Sequence, residues 1–191
     1  MKPALALAQN LYVALVHHPV VNRNGELITS SVTNLDLHDI ARASRTYGVK
    51  GYFVVHPSQD QQALNRRIIQ HWSGAFGYHA NPTRREALDL IHLVPNLEEA
   101  LLVIQIESKA RAFLVGTSAK PRSNTAISIP RLREKLEEGP CLLVFGTAYG
   151  LAPEWDRRLE AHLPPIVGPA DYNHLSVRSA TSIYLDRLFG I

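Results

Sequence analysis

LLVFGTAYGLAPE, residues Leu142–Glu154, passes from an unbroken apolar run into a turn with glycines at 146 and 150, then into a proline and an acid. That order reads as a buried strand, a tight turn and the start of a helix. Glycine has no Cβ, so these are positions where the chain bends sharply or where another group lies on the backbone. Similar turns end two more apolar runs: Gly116-Thr117-Ser118-Ala119 after AFLV, and Gly168-Pro169 after PIV. Three small-residue turns at three expected strand ends in the C-terminal half predict one shared pocket with close backbone approach. The pattern is neither GxGxxG nor GxxxxGK followed by Ser or Thr, which removes support for dinucleotide and nucleoside-triphosphate loops.

Outward from this stretch, apolar runs that suit buried strands recur at 11–16 (LYVALV), 51–55 (GYFVV), 90–94 (LIHLV), 112–116 (AFLVG), 141–145 (CLLVF) and, shorter, 165–168 (PIVG). Helical spacing lies between them. Leu35, Ile40, Ala43 and Tyr47 suit one face of a helix over 35–47, capped by Asn34 or Asp36. Further helices are expected at about 59–74, around 97–104, at 130–138 behind Pro130, and in a final segment carrying Leu175, Ile183, Leu185 and Leu188. Strands alternating with helices predict an α/β fold: a mainly parallel sheet with helices on both faces. Two long loops, 17–33 and 117–129, start at strand carboxyl ends, where such sheets gather ligands.

The chain has 191 residues, 46% of them hydrophobic, enough for one well-buried core, so a single domain over 1–191 is expected. A formal charge of +3 permits a polyanionic partner without requiring one. One cysteine, Cys141, excludes an internal disulfide framework and a cysteine-based zinc site. His17 and His18 have no third partner at ligand spacing, so no metal is expected. Gln9 and Asn10 interrupt the first apolar stretch, and no run reaches the roughly 18 residues that span a bilayer. These features suggest a soluble, cytoplasmic protein.

In the order LVGTSAK, LLVFGTAYGLAPE and PIVGPADYNHLSVRSATSIYLDRL, the C-terminal half resembles the SPOUT superfamily of knotted RNA methyltransferases, which bind S-adenosylmethionine (SAM). It is most similar to the small SPOUT domain fused behind some bacterial tRNA guanine-N1 methyltransferases. VTNLDLHDIARASRTYGVKGYFVV looks like the family's first motif, so the likeness covers essentially the whole chain. The resemblance implies a C-terminal trefoil knot, with knot and cofactor region at about 112–191. It also implies a homodimer and a cofactor held by the knot loops, its adenine and ribose against Gly146–Leu151.

Position by position, the resemblance carries the first cofactor wall to Gly116, Thr117 and Ser118, and the second to Phe145, Gly146, Thr147, Gly150 and Leu151. The third falls on Ile166, Tyr172, Asn173, Leu175, Ser176 and Ser179. In DLHDIAR, the residues Asp36, His38 and Arg42 stand where ribose-methylating relatives have NxGxxxR, which makes Arg42 the match for the functional arginine. In DYNHLSVR, His174 or Asp171 is a candidate base, because an imidazole titrates near operating pH. Base nitrogen and ribose 2′-hydroxyl both stand as acceptors. Arg84, Arg85, Lys120 and Arg122 suit phosphate contacts with tRNA or rRNA, whereas Trp72 is expected in the core. The leading reading is a SAM-dependent RNA methyltransferase; the alternative is a catalytically silent SAM-binding or dimerisation module.

Overall fold

The computed structural model describes residues 3–121 and 125–190. In chain order the first half is α1 (Pro3–Ala8), β1 (Leu11–Val16), β2 (Val20–Val21), β3 (Leu27–Ile28), α2 (Asn34–Tyr47), β4 (Gly51–Val55), α3 (Gln59–Ser73), α4 (Ala75–Ala80) and α5 (Pro82–Leu88). There follow β5 (Ile91–Val94), α6 (Leu97–Ser108), β6 (Phe113–Gly116), α7 (Ile129–Glu138), β7 (Cys141–Gly146), α8 (Pro153–Asp156), β8 (Ala161–His162) and α9 (Val177–Phe189). Six strands form one sheet in the order β5-β4-β1-β7-β6-β8, and each pairing in it is parallel. β2 and β3 pair separately as a small antiparallel ribbon.

The central strands are apolar without alternation because both their faces are covered. Leu11, Val13 and Leu15 of β1 pack with Leu37 and Ile40 of α2, Leu132 and Leu136 of α7 and Leu185 of α9. Tyr12, Ala14 and Val16 face the other way, onto Phe53, onto Leu97, Ala100 and Ile104 of α6, and onto Trp155 of α8. Cys141 is a free thiol at the buried start of β7, and burial pushes its pKa up to about 12, so it behaves as a small hydrophobe. Among the described residues no helix is long and apolar enough to cross a membrane, and no group of three or more His, Cys, Asp or Glu could hold a metal ion.

Four sequence expectations need correction. PIVG is not a strand: Pro164 and Pro165 supply no N–H for a ladder, and the sheet edge goes instead to Ala161–His162. The cap of α2 is Thr33, whose hydroxyl accepts from Asp36 N–H while the Asp36 carboxylate accepts from Thr33 N–H. Leu35 points outward, and Leu37, Ile40 and Ala41 form the buried face of α2. Leu175 precedes Ser176, the cap of α9, and is exposed. The helix α5, absent from the sequence reading, begins at Pro82 behind the cap Asn81, whose side chain accepts from Arg84 N–H at 3.0 Å.

Candidate active site

Three strands end side by side, with Val16 of β1 against Gly146 of β7, and Val144 of β7 against Gly116 of β6. Carboxyl ends are where sheets of this kind collect ligands. The turn after β7 is clamped by its neighbours. Thr147 donates its N–H (3.1 Å) and its hydroxyl (3.0 Å) to Val16 O. Tyr149 N–H donates to Val21 O, Val21 N–H to Gly150 O and Ala152 N–H to Pro19 O, each at 3.0 Å.

The glycines have a reason inside the chain. A Cβ at position 146 would lie 2.6 Å from Leu151 N and 2.9 Å from Gly150 C, and one at 116 would lie 2.4 Å from Leu159 Cδ1 and 2.8 Å from the His162 ring. At both positions the close approach is of the protein to itself. Gly150 is different: its φ of +113° favours glycine, and the direction of its missing Cβ opens into free space.

The third segment reaches the same edge. Leu163 N–H donates to Gly116 O (3.0 Å) and Ile127 N–H to His162 O (2.9 Å), so 161–163 lies between the end of β6 and the far end of the 117–127 loop. His162, buried, bonds Thr125 Oγ1 (2.8 Å) through Nδ1 and Asp156 Oδ1 (3.1 Å) through Nε2. Beyond it, Asn173 Nδ2 donates to Ala119 O at 2.8 Å, tying the third loop to the first. Among the described residues, Pro165–Leu175 makes no backbone–backbone hydrogen bond. Tyr149, Val167, Tyr172 and Leu175 stand exposed on these loops, as does Leu35 on the first turn of α2.

The N-terminal side contributes a partly buried chain of hydrogen bonds that sequence spacing gave no sign of. His17 Nδ1 lies 3.0 Å from Ser30 Oγ, and Ser30 Oγ lies 2.5 Å from Thr147 Oγ1. His17 Nε2 is buried and has no protein partner among the described residues. Burial lowers the His17 pKa from 6.5 to about 4, against an opposing pull from the Asp36 carboxylate, and His56 adds a small push in the same direction as burial. The ring is therefore neutral near pH 7. The sign follows: between pH 6.5 and about 4 the unfolded chain binds a proton that the folded chain refuses, so stability falls as pH falls through that window. We expect a loss of about 1.5 kcal/mol from this group between pH 6.5 and pH 5. Urea unfolding at the two pH values checks it; His17→Asn should flatten that slope.

The residues expected to be catalytic are not gathered at one point. The Asp36 carboxylate is committed: Oδ2 accepts from Thr33 N–H (3.2 Å) and Thr33 Oγ1 (2.6 Å), and Oδ1 accepts from Arg178 Nη1 (3.1 Å). His38, two residues further along α2, lies 2.9 Å from Asn34 O through Nδ1, with its ring nearly perpendicular to that of Trp72. Arg42 follows on α2 and is exposed. His174 and Asp171 are exposed in the third loop, with the Tyr172 ring 5.5 Å from His174. Arg178 was missed, although two acids three apart on one helix, Asp36 and Asp39, ask for a basic partner; its Nε lies 3.4 Å from Asp39 Oδ2.

Of the other expected residues, Thr117 Oγ1 donates to Val144 O and Ser118 Oγ accepts from Lys120 N–H. Phe145 is buried against Tyr184, Leu151 pairs with Val20, and Ile166 packs on the core. Ser176 and Ser179 form the first turn of α9. Lys120 is exposed, Arg85 lies 3.7 Å from Asp89, and Arg84 stacks over Trp72. Arg122 lies outside the described residues. Trp72 packs against the core in part: it is half-buried and also lines a surface hollow.

A family model described as SAM-dependent RNA methyltransferase matches residues 10–190. A tRNA (guanine-N(1)-)-methyltransferase of Oleidesulfovibrio alaskensis is 43% identical over 182 residues, 95% of this chain and 42% of that protein. An uncharacterized protein of Aquifex aeolicus is 39% identical over 187 residues, 97% of this chain and 91% of its own length. The SpoU methyltransferase AviRb of Streptomyces viridochromogenes, solved in complex with AdoMet, shares the fold with a TM-score of 0.55 at 17% identity, over 95% of this chain and 57% of its own. This chain thus spans less than half the length of the tRNA methyltransferase it matches.

Proposed function

The chain belongs to the SAM-dependent RNA methyltransferase family, and on that premise we propose that it moves the methyl group of SAM to a base nitrogen or a ribose 2′-hydroxyl of tRNA or rRNA. The observation that carries this reading is the Pro165–Leu175 run, which makes no backbone–backbone hydrogen bond among the described residues and is tied by Asn173 to Ala119 in the loop after β6. In this reading adenine and ribose lie between Phe145–Leu151 and Ile166–Leu175. Gly116, Thr117 and Ser118 close one side, and Ser176 and Ser179 fix the start of α9 where the third segment ends.

When bound, SAM supplies an electrophilic methyl group, so the protein's own share is placement and charge. Arg42 would hold a phosphate of the accepting nucleotide through charge-assisted hydrogen bonds. His174 would take the proton from a base nitrogen. Lys120, Arg84 and Arg85 would add phosphate contacts that set register. Support for a trefoil crossing is the position of 161–163 between the two ends of the 117–127 loop. The exposed Leu35, Tyr149, Val167, Tyr172 and Leu175 support a homodimer that covers them, and likeness to tRNA methyltransferases supports a cytoplasmic location. One observation favours a second reading, a catalytically silent SAM-binding module: Asp36 is already spent on its cap and on Arg178.

Calorimetric titration with SAM and with NAD tests the cofactor, and we expect heat from SAM alone; a chain that ignores SAM overturns the proposal. Incorporation of labelled methyl groups into RNA from cells lacking the protein separates enzyme from silent module. There Arg42→Ala is expected to lower the rate about tenfold, or about 1.4 kcal/mol in the barrier.

A further inference from the structure

A second cluster lies apart from the cofactor loops, on the helices that flank the first motif. Trp72, near the end of α3, is half-buried, and the Arg84 guanidinium of α5 sits 4.2 Å above its ring. His71 and His38 present their rings nearly perpendicular to it, at 5.2 and 6.1 Å. Beside the indole is an open hollow of about 310 Å³ lined by Asn34, Arg67, Ile68, His71 and Trp72. Arg67 is exposed at its rim, and Arg42 continues the Asn34–His38 stripe of α2.

An indole and Ile68 that pack against the core and also line the hollow, with the Arg67 guanidinium in its lining and Arg84 over the ring, fit one kind of ligand. A nucleobase stacks on the indole, and the phosphates joined to it meet the cations. A base within a duplex cannot reach such a ring, because both its faces are already stacked. The hollow also connects to the cofactor edge. Asn34 is four residues from Ser30, at most about 14 Å of chain, and Ser30 Oγ touches Thr147 Oγ1.

We propose that Trp72, with Arg67 and Arg84, is a stacking site for an unpaired RNA base flanking the nucleotide to be methylated. This rests on the reading of the chain as an RNA methyltransferase. It assigns selection of single-stranded or looped RNA to this hollow and leaves the cofactor loops to SAM.

The chain has two tryptophans, and the other, Trp155, is buried under Arg158, so fluorescence can be assigned. The full chain is titrated with a mixed-sequence nine-nucleotide single-stranded RNA and with the same sequence in a blunt duplex. We expect the single strand to quench emission and the duplex to leave it unchanged, with the quench gone in Trp72→Phe. Trp72→Leu should bind the single strand about tenfold more weakly. Arg67→Gln, on an exposed position that tolerates change, should weaken it about threefold and lower the salt slope by about one.

RNA that is retained on a filter without quenching, or that binds Trp72→Leu and Arg67→Gln as tightly as the natural chain, overturns the stacking site. Equal quenching by duplex overturns it as well. Titration of SAM into the same preparations keeps the two readings apart. A chain that binds SAM and RNA without the Trp72 signal sinks this site alone, whereas one that binds neither sinks the methyltransferase reading and this site with it.

Discussion

Gly146→Ala is expected to lose SAM affinity by more than a hundredfold and to unfold at lower denaturant. The added Cβ would sit 2.6 Å from Leu151 N, 2.9 Å from Gly150 C and 3.1 Å from Gly150 Cα. All three are backbone atoms, so no rotamer change makes room and the turn must open. Opening it pulls Tyr149, Gly150 and Ala152 from their hydrogen bonds with Pro19 and Val21. At about 1 kcal/mol for each of three bonds, the cost is about 3 kcal/mol of stability. The affinity follows because the same turn is the proposed wall for adenine, and a hundredfold corresponds to about 2.7 kcal/mol. Gly139→Ala is the control: a Cβ there meets nothing, and the backbone is extended. Calorimetry and urea unfolding on the pair give the answer, and a Gly146→Ala chain that binds SAM as well as the natural one removes the turn from the cofactor site.

The second large effect is expected at Arg178→Ala. Its guanidinium bonds Asp36 Oδ1 at 3.1 Å and Asp39 Oδ2 at 3.4 Å, and the Asp36 side chain is only 7% exposed. Removing the cation leaves a buried carboxylate without its counter-charge, which costs about 3 kcal/mol, the lower end for a broken buried pair because Arg178 is itself partly open to water. Asp36→Asn on the same chain should return part of that loss, and a double-mutant cycle from urea unfolding measures how much. α9 begins directly after the third loop, so SAM affinity should fall along with stability. Additive single and double losses would show that the pair is not coupled.

What could be read from sequence follows from distance along the chain. The strands 11–16, 51–55 and 141–146 were legible because both faces are buried, which leaves an apolar run with no polar gaps. PIVG has the same look, and prolines defeat it, while the true edge strand Ala161–His162 is too short to carry a period. The glycine turns were legible as turns, but local reading gave a ligand as the cause at 116 and 146 where packing against Leu159, His162 and Leu151 suffices. The Ser30–Thr147 and Asp36–Arg178 ties join positions 117 and 142 residues apart. No window of spacing or hydropathy contains such pairs. Trp72 reads as core because it is large and aromatic, and it does pack against the core, but only in part, with the Arg84 guanidinium over its ring.

The register of the sheet also bears on how the molecule is made. β1 has β4 along one edge soon after it emerges, yet its other edge pairs with β7, Leu11 opposite Cys141 and Val16 opposite Gly146. At ordinary translation speeds about ten seconds separate synthesis of the two partners. During that interval LYVALV offers a bare apolar ladder to any extended peptide nearby, so chaperone occupancy on the ribosome should peak before residue 141 is added and drop once β7 docks.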